Sequence, residues 1–151
     1  MKLFIGGAFQ GKTQAALDMT GLREIDIIDG ESCSLQEIRN ARGLFILDRF
    51  HELVRRALDD ETKQADQTKQ ADQPDQPDQA VSLAGLEQLV TDGTLGRESL
   101  AIVCNELGCG VVPLEQADRT WREKTGRLLC ELAKQASEVY RVTAGIAVRI
   151  K

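Results

Sequence analysis

At 151 residues the chain is the size of one domain and can bury about two-thirds of its unfolded surface. Its 42% apolar share suits a globular protein, and 19 basic against 24 acidic side chains leave a net charge of −5. That balance argues against a general affinity for nucleic acid, and no apolar run approaches the roughly 20 residues of a membrane span. The N-terminus, Met1 and Lys2 followed by "LFIGG", is too short for a signal peptide and is expected to run straight into a folded element. Cys33, Cys104, Cys109 and Cys130 are spread apart or sit inside apolar runs. They read as small buried hydrophobes in a reducing, cytoplasmic setting.

Taken in chain order, short apolar runs mark strands: "KLFIGG", "EIDIID", "GLFILD", "SLAIVCNE", "VYRVTAG" and, after a tight "TAG" turn, "IAVRIK". Continuous rather than alternating apolar residues suit strands covered on both faces, as in a parallel sheet. Helices are expected over Lys12 to Met19, over "SLQEIRNA", "RFHELVRRALDD" and "SLAGLEQLVTDG", and from Arg119 to Ser137. Ser34 reads as an N-cap, with Glu37 completing a capping box. The alternation predicts an α/β fold: a mostly parallel sheet with flanking helices and a C-terminal β-hairpin.

One segment falls outside this pattern. Residues 62–79 read "TKQADQTKQADQPDQPDQ", a six-residue unit used twice and then a three-residue unit used twice. Without large apolar residues it cannot add to a core, so it is expected to be a solvated loop inserted into a single domain.

The strongest signal is "GGAFQGKT", which fits G-x-x-x-x-G-K-[ST] between an apolar strand and a helix. Gly6, Gly7, Ala8, Phe9, Gln10, Gly11, Lys12 and Thr13 are therefore expected to bind a nucleotide's phosphates. Glycines let the backbone turn so that successive N–H groups face phosphate oxygens. The helix N-terminus adds partial positive charge. Lys12 would bridge the terminal phosphates, and Thr13 would offer a hydroxyl to Mg²⁺. "GLFILD" ends in Asp48, where a Walker-B aspartate would hold the same metal, although a strand-end aspartate also caps a following helix. Glu106, closing the fourth strand, is a further candidate for metal or base, with a surface carboxylate as the alternative.

Five ordered blocks resemble a known family: "GGAFQGKT", "FILD", "CNELGCGVVP", "REKTGRLLCELA" and "SEVYRVTAGIAVRIK". They are similar to the bifunctional adenosylcobinamide kinase / adenosylcobinamide-phosphate guanylyltransferase family of cobalamin biosynthesis. There the corresponding blocks read "GGxxSGKS", "LLD", "TNEVGxGIVP", "RDxxGRxNQxLA" and "ADEVYLVVAGIPLRLK". The resemblance implies a P-loop kinase-like sheet, often assembled as a trimer. It implies transfer of a phosphoryl group from ATP or GTP to the aminopropanol hydroxyl of cobinamide. It also implies a second reaction, in which GMP passes from GTP through a guanylylated histidine.

This chain departs from the family where that histidine belongs. The interval "GESCSLQEIRNAR" has neither histidine nor proline, and the family's "RIxxHxxxRP" is not found there. The sole histidine, His51, follows the aspartate strand and is expected at the edge of an apolar helix face formed by Phe50, Leu53, Val54, Ala57 and Leu58. It reads as a surface or capping residue, with a ligand contact or a nucleophile as alternatives. Leu129 and Cys130 replace the family's Asn-Gln. Trp121 reads as a packing or subunit-contact residue. Arg122 and Arg127 read either as phosphate contacts or as solvated helix charges. Phe9 and Gln10 occupy loop positions where the family has small or polar residues.

The expectation is a cytoplasmic, nucleotide-binding, cobinamide kinase-like enzyme. Lys12, Asp48 and Glu106 would do the catalysis, with Thr13 and Asp48 on Mg²⁺ and the guanylyl step lost. Its partners would be a nucleoside triphosphate, a cobinamide-type corrinoid and copies of itself. The alternative is a non-catalytic nucleotide-binding module or partner subunit in corrinoid metabolism.

Overall fold

The computed structural model describes residues 1–41, 43–67, 81–96 and 100–151. In chain order the elements are β1 (Lys2–Gly6), α1 (Lys12–Thr20), β2 (Ile27–Asp29), α2 (Leu35–Asn40), β3 (Phe45–Asp48) and α3 (Phe50–Gln67). They continue with α4 (Leu83–Thr91), β4 (Leu100–Asn105), α5 (Gln116–Gln135), β5 (Glu138–Thr143) and β6 (Ile146–Arg149). The six strands form one sheet in the order β2-β3-β4-β1-β5-β6. All neighbours are parallel except β5 and β6, which form the expected antiparallel hairpin. Its turn residues, Ala144 and Gly145, have φ of +51° and +79°, as a two-residue hairpin whose twist matches its strands requires.

The continuous apolar strands are explained by burial on both sheet faces. On one face Leu3, Leu47, Ile102 and Val139 meet the apolar sides of α3, α4 and α5, including Leu53, Val54, Leu86, Leu89 and Leu132. On the other, Phe4, Ile46, Val103 and Tyr140 meet Ala15 and Ala16 of α1. Phe4 and Tyr140 stack there at 5.2 Å between ring centroids. Small alanines let α1 lie close to the strands beside it, and this fixes the position of the loop that precedes it.

The expected N-cap forms at α2, where Ser34 Oγ accepts the Glu37 N–H at 3.1 Å. Ser82 does the same for α4, accepting from Gly85 at 3.3 Å. The repeat expected as a loop over 62–79 differs at its start. Helix α3 continues through Gln67 and takes in its first six residues; the remainder lies outside the described residues. The cysteines also divide. Cys33 and Cys104 are buried as expected, whereas Cys109 and Cys130 are exposed free thiols. Among the described residues no helix is long and apolar enough to cross a membrane.

Candidate functional site

The sheet brings three strand ends together along its carboxyl edge. Strand β1 runs into the glycine loop, β3 ends at Asp48, and β4 lies between them and ends at Asn105. Helix α1 covers one sheet face while α3, α4 and α5 cover the other. Such a change of side leaves a crevice outside the strand ends, the usual ligand position in open α/β sheets. A cleft of about 410 Å³ opens there, walled by Ala8–Thr13, Asp48, Arg49, His51 and Val103–Asn105.

The loop is shaped by its glycines. Gly6 has φ +152°, and a Cβ there would lie 2.3 Å from the Val142 carbonyl oxygen, so only glycine lets β1 turn against β5. Gly11 adopts the left-handed conformation as the N-cap of α1. Phe9 is also left-handed, with φ +58°, and its ring is fully exposed on the cleft wall. A bulky residue held in that conformation is a genuine outlier. Sequence reasoning missed a brace under the loop. Gln10 accepts the N–H of Ala144 on its side chain at 2.6 Å and that of Gly145 on its main chain at 3.0 Å. The C-terminal hairpin thus holds the loop from behind.

Lys12 is only 7% exposed, and its Nζ donates to the Gly7 carbonyl at 2.7 Å. Burial lowers its pKa, and the negative charges of Asp48 and Glu106 work against that shift. Thr13 Oγ1 donates to Asp48 Oδ2 at 3.0 Å, joining loop and strand end across the cleft. The other Asp48 oxygen accepts the Arg49 N–H at 2.8 Å, so this aspartate also supports the start of α3. The Arg49 guanidinium is paired with Asp29 and Glu31.

His51 is not the surface residue its sequence position suggests. It is 6% exposed and forms part of the cleft wall. Burial, followed by the nearby charges of Lys12 and Arg49, pushes its pKa down to about 4 and keeps the ring neutral. Its ring lies against Asn105, and its carbonyl accepts the Trp121 indole N–H at 2.7 Å. Trp121 is therefore a packing residue, with the Arg55 guanidinium 4.6 Å above its ring. Asn105 belongs to a matched block and His51 has a ligand contact among its alternatives, but their meeting on one cleft wall follows from β4 lying between β1 and β3.

Other candidates lie elsewhere. Glu106 accepts from Arg141 Nε at 3.0 Å and lines a separate groove with Leu107, Cys109 and Cys130. It reaches the cleft only through its field on Lys12. Arg122 donates to the carbonyls of Gly108 and Val111, and Arg127 pairs with Glu123 in solvent, so both are occupied away from the loop. Among the described residues no group of three or more His, Cys, Asp or Glu is placed to hold a metal alone.

A strand, a glycine loop and a helix enclose a buried lysine and face a strand-end aspartate across one interposed strand. That arrangement defines an α/β protein of P-loop-like fold. Residues 29–150, most of the chain, match the family described as cobinamide kinase / cobinamide phosphate guanyltransferase, and the chain belongs to that family. The glycine loop precedes the matched residues, so its geometry is a separate observation. The bifunctional adenosylcobalamin biosynthesis protein CobU of Escherichia coli (strain K12) is 42% identical over 52 residues, 34% of this chain and 29% of that protein. The protein of the same name from Salmonella typhimurium (strain LT2) matches at the same identity over the same shares. The aligned stretch thus spans less than a third of either relative.

Proposed function

We propose that the chain binds ATP or GTP in the cleft and transfers its terminal phosphoryl group to the hydroxyl of a cobinamide-type corrinoid. The observation that carries this reading is the convergence of Lys12 and Thr13 with Asp48, sealed by the 3.0 Å Thr13–Asp48 hydrogen bond. Phosphoryl transfer needs positioning and charge neutralisation more than covalent help from the protein. With a nucleotide present, Lys12 exchanges the Gly7 carbonyl for phosphate oxygens, and the start of α1 points its unpaired N–H groups at the same place.

The donor set fits Mg²⁺. This ion commonly takes one or two protein oxygens and completes its shell with phosphate and water, so it needs no dedicated cage of carboxylates. Thr13 and Asp48 would hold it, and its charge would offset that of the phosphates. On the acceptor side, Phe9 and the loop after β4, with exposed Val111, Val112 and Leu114, offer apolar surface at the same sheet edge. A cytoplasmic setting goes with this reading, since exposed free thiols persist in a reducing compartment. So does self-assembly, a trimer in this proposal, for which Ile146 and Val148 of β6 and Ile150 just beyond it supply an exposed apolar row.

The guanylyl step is absent from this proposal. No histidine lies between β2 and β3. The ring nitrogens of His51 are engaged by Asn105, which leaves no free nitrogen to attack an α-phosphate.

Label placement tests the reading. Protein, Mg²⁺ and cobinamide are incubated with GTP or ATP labelled at the γ or the α position. Label passing from the γ position to cobinamide supports the kinase. Label from the α position retained on the protein overturns the exclusion of guanylylation. Transfer of neither, with nucleotide still raising the melting temperature, would leave a binding module. At 100 times Kd the expected stabilisation is about 2.7 kcal/mol, and Lys12→Ala should abolish it.

A further inference from the structure

His51 and Asn105 are linked by a pattern that fixes where each proton sits. Along β4 successive main-chain N–H groups alternate between the neighbouring strands. Glu106 N–H donates to the Gly6 carbonyl at 2.9 Å on the β1 side, so Asn105 N–H faces the β3 side. There the β3–β4 pairing has run out, its last partners being Leu47 and Ile102, because the chain turns at Arg49 into α3. His51 Nδ1 fills the gap and receives that N–H at 3.5 Å. A ring nitrogen that accepts carries no proton, so the proton of the neutral imidazole belongs to Nε2. Glu52 Oε1, 3.5 Å from Nε2, is a second group suited to a protonated nitrogen.

The amide nitrogen of Asn105, Nδ2, is placed 2.7 Å from that same Nε2, two donors face to face, a conflict that exchanging the amide's O and N ends removes. A donor at this distance needs an acceptor, so the amide oxygen is the end that meets the ring. The amide NH₂ is then turned away from the imidazole, on a residue that lines the cleft together with Lys12 and Asp48. Trp121 packs against this residue, its indole N–H donating to the His51 carbonyl at 2.7 Å and its ring stacked on the imidazole at 6.2 Å between centroids.

We propose that His51 is a positioning residue that orients the Asn105 amide so that its NH₂ donates to the terminal phosphate of the bound nucleotide. This inference rests on the nucleotide reading of the cleft. It adds an uncharged phosphate contact, supplied by the strand between the loop and the aspartate, to the ammonium of Lys12. It also gives the sole histidine a role that needs no covalent chemistry.

Calorimetric titration with Mg·ATP and Mg·ADP tests it. Asn105→Ala should weaken ATP about tenfold, the size expected for one hydrogen bond to a charged group, and barely change ADP. His51→Ala should reproduce that loss, and the double variant should be no worse than either single one. His51→Gln, which still presents an N–H toward the Asn105 oxygen, should recover most of the affinity. A measurement on the unaltered protein stands beside these: with one histidine, ¹⁵N spectra of the imidazole report a single tautomer. Nε2–H is expected. An Nδ1–H ring, or Asn105→Ala and His51→Ala variants that bind ATP as tightly as the parent, overturns the inference while leaving the nucleotide site standing. Failure of the parent protein to bind ATP overturns the nucleotide reading, and this inference with it.

Discussion

Gln10 Oε1 accepts the main-chain N–H of Ala144 at 2.6 Å, tying the glycine loop to a hairpin 134 residues further along the chain. The Gln10 carbonyl does the same for Gly145. The loop's shape is therefore held by a turn outside the strand–loop–helix unit. Gln10→Ala removes the side-chain half of this brace, with an expected loss of about 1 kcal/mol in nucleotide affinity, roughly fivefold. Amide exchange at Ala144 should speed up in the same variant, whereas Gln10→Glu keeps an acceptor and should exchange slowly. Unchanged exchange in Gln10→Ala would show that the brace carries no load.

Gly6 makes the second prediction. An added Cβ would meet the Val142 carbonyl oxygen at 2.3 Å, at a φ of +152° that side chains avoid. Backbone on backbone leaves nothing flexible to give way. Gly6→Ala should cost about 3 kcal/mol or more, placing it among the severe single substitutions. Gly43, also at positive φ but with open space around it, should cost only about 1–2 kcal/mol when changed to alanine. Urea unfolding midpoints compare the two, and equal midpoints would refute the close contact.

The strands and helices could be found in the sequence because each carries a local cause. "FILD" is apolar throughout because both sides of β3 are covered, and Ser34 caps α2 through its own hydroxyl. The loop's shape was legible for the same reason, since its turn rests on Gly6 and Gly11, both at positive φ. What could not be read was whatever depends on strand order. Asn105 enters the cleft only because β4 separates β1 from β3. His51 sits one residue beyond Phe50 on α3, where helical periodicity puts it at the edge of the apolar face. Tertiary packing then buries that edge under Trp121. Glu106 depends on strand order as well: its carboxylate pairs with Arg141 of β5, a contact that its place at a strand end does not reveal.

The third prediction concerns pH. His51 has its pKa lowered from 6.5 to about 4 in the folded protein, chiefly by burial. Below pH 6.5 the unfolded chain takes up a proton that the folded one refuses, so stability contributed by neutral His51 falls as the pH drops toward 4. The slope approaches 1.4 kcal/mol per pH unit within that window. Above pH 7 this group adds no pH dependence. His51→Gln removes the titration, so the stability difference between parent and variant should change with pH between 6.5 and 4 and be constant above. A difference that stays constant throughout would mean that His51 is protonated freely in the folded state.

Thr125 supplies the last prediction, and it is one of gain. The residue is fully buried on α5, and its hydroxyl oxygen has no hydrogen-bond partner among the described residues. A buried hydroxyl without a partner forfeits its water without compensation. Thr125→Val keeps the shape and replaces the hydroxyl by a methyl group, so it should stabilise the fold by about 1 kcal/mol and raise Tm by about 2–4 °C. Thr125→Ala opens a small void instead and should lower Tm. Calorimetry separates the two causes. If valine and alanine both destabilise, the hydroxyl has a partner in solution and α5 packs differently around it. If valine alone stabilises, the cost belongs to the unpaired oxygen, and α5 carries a strain unrelated to the cleft.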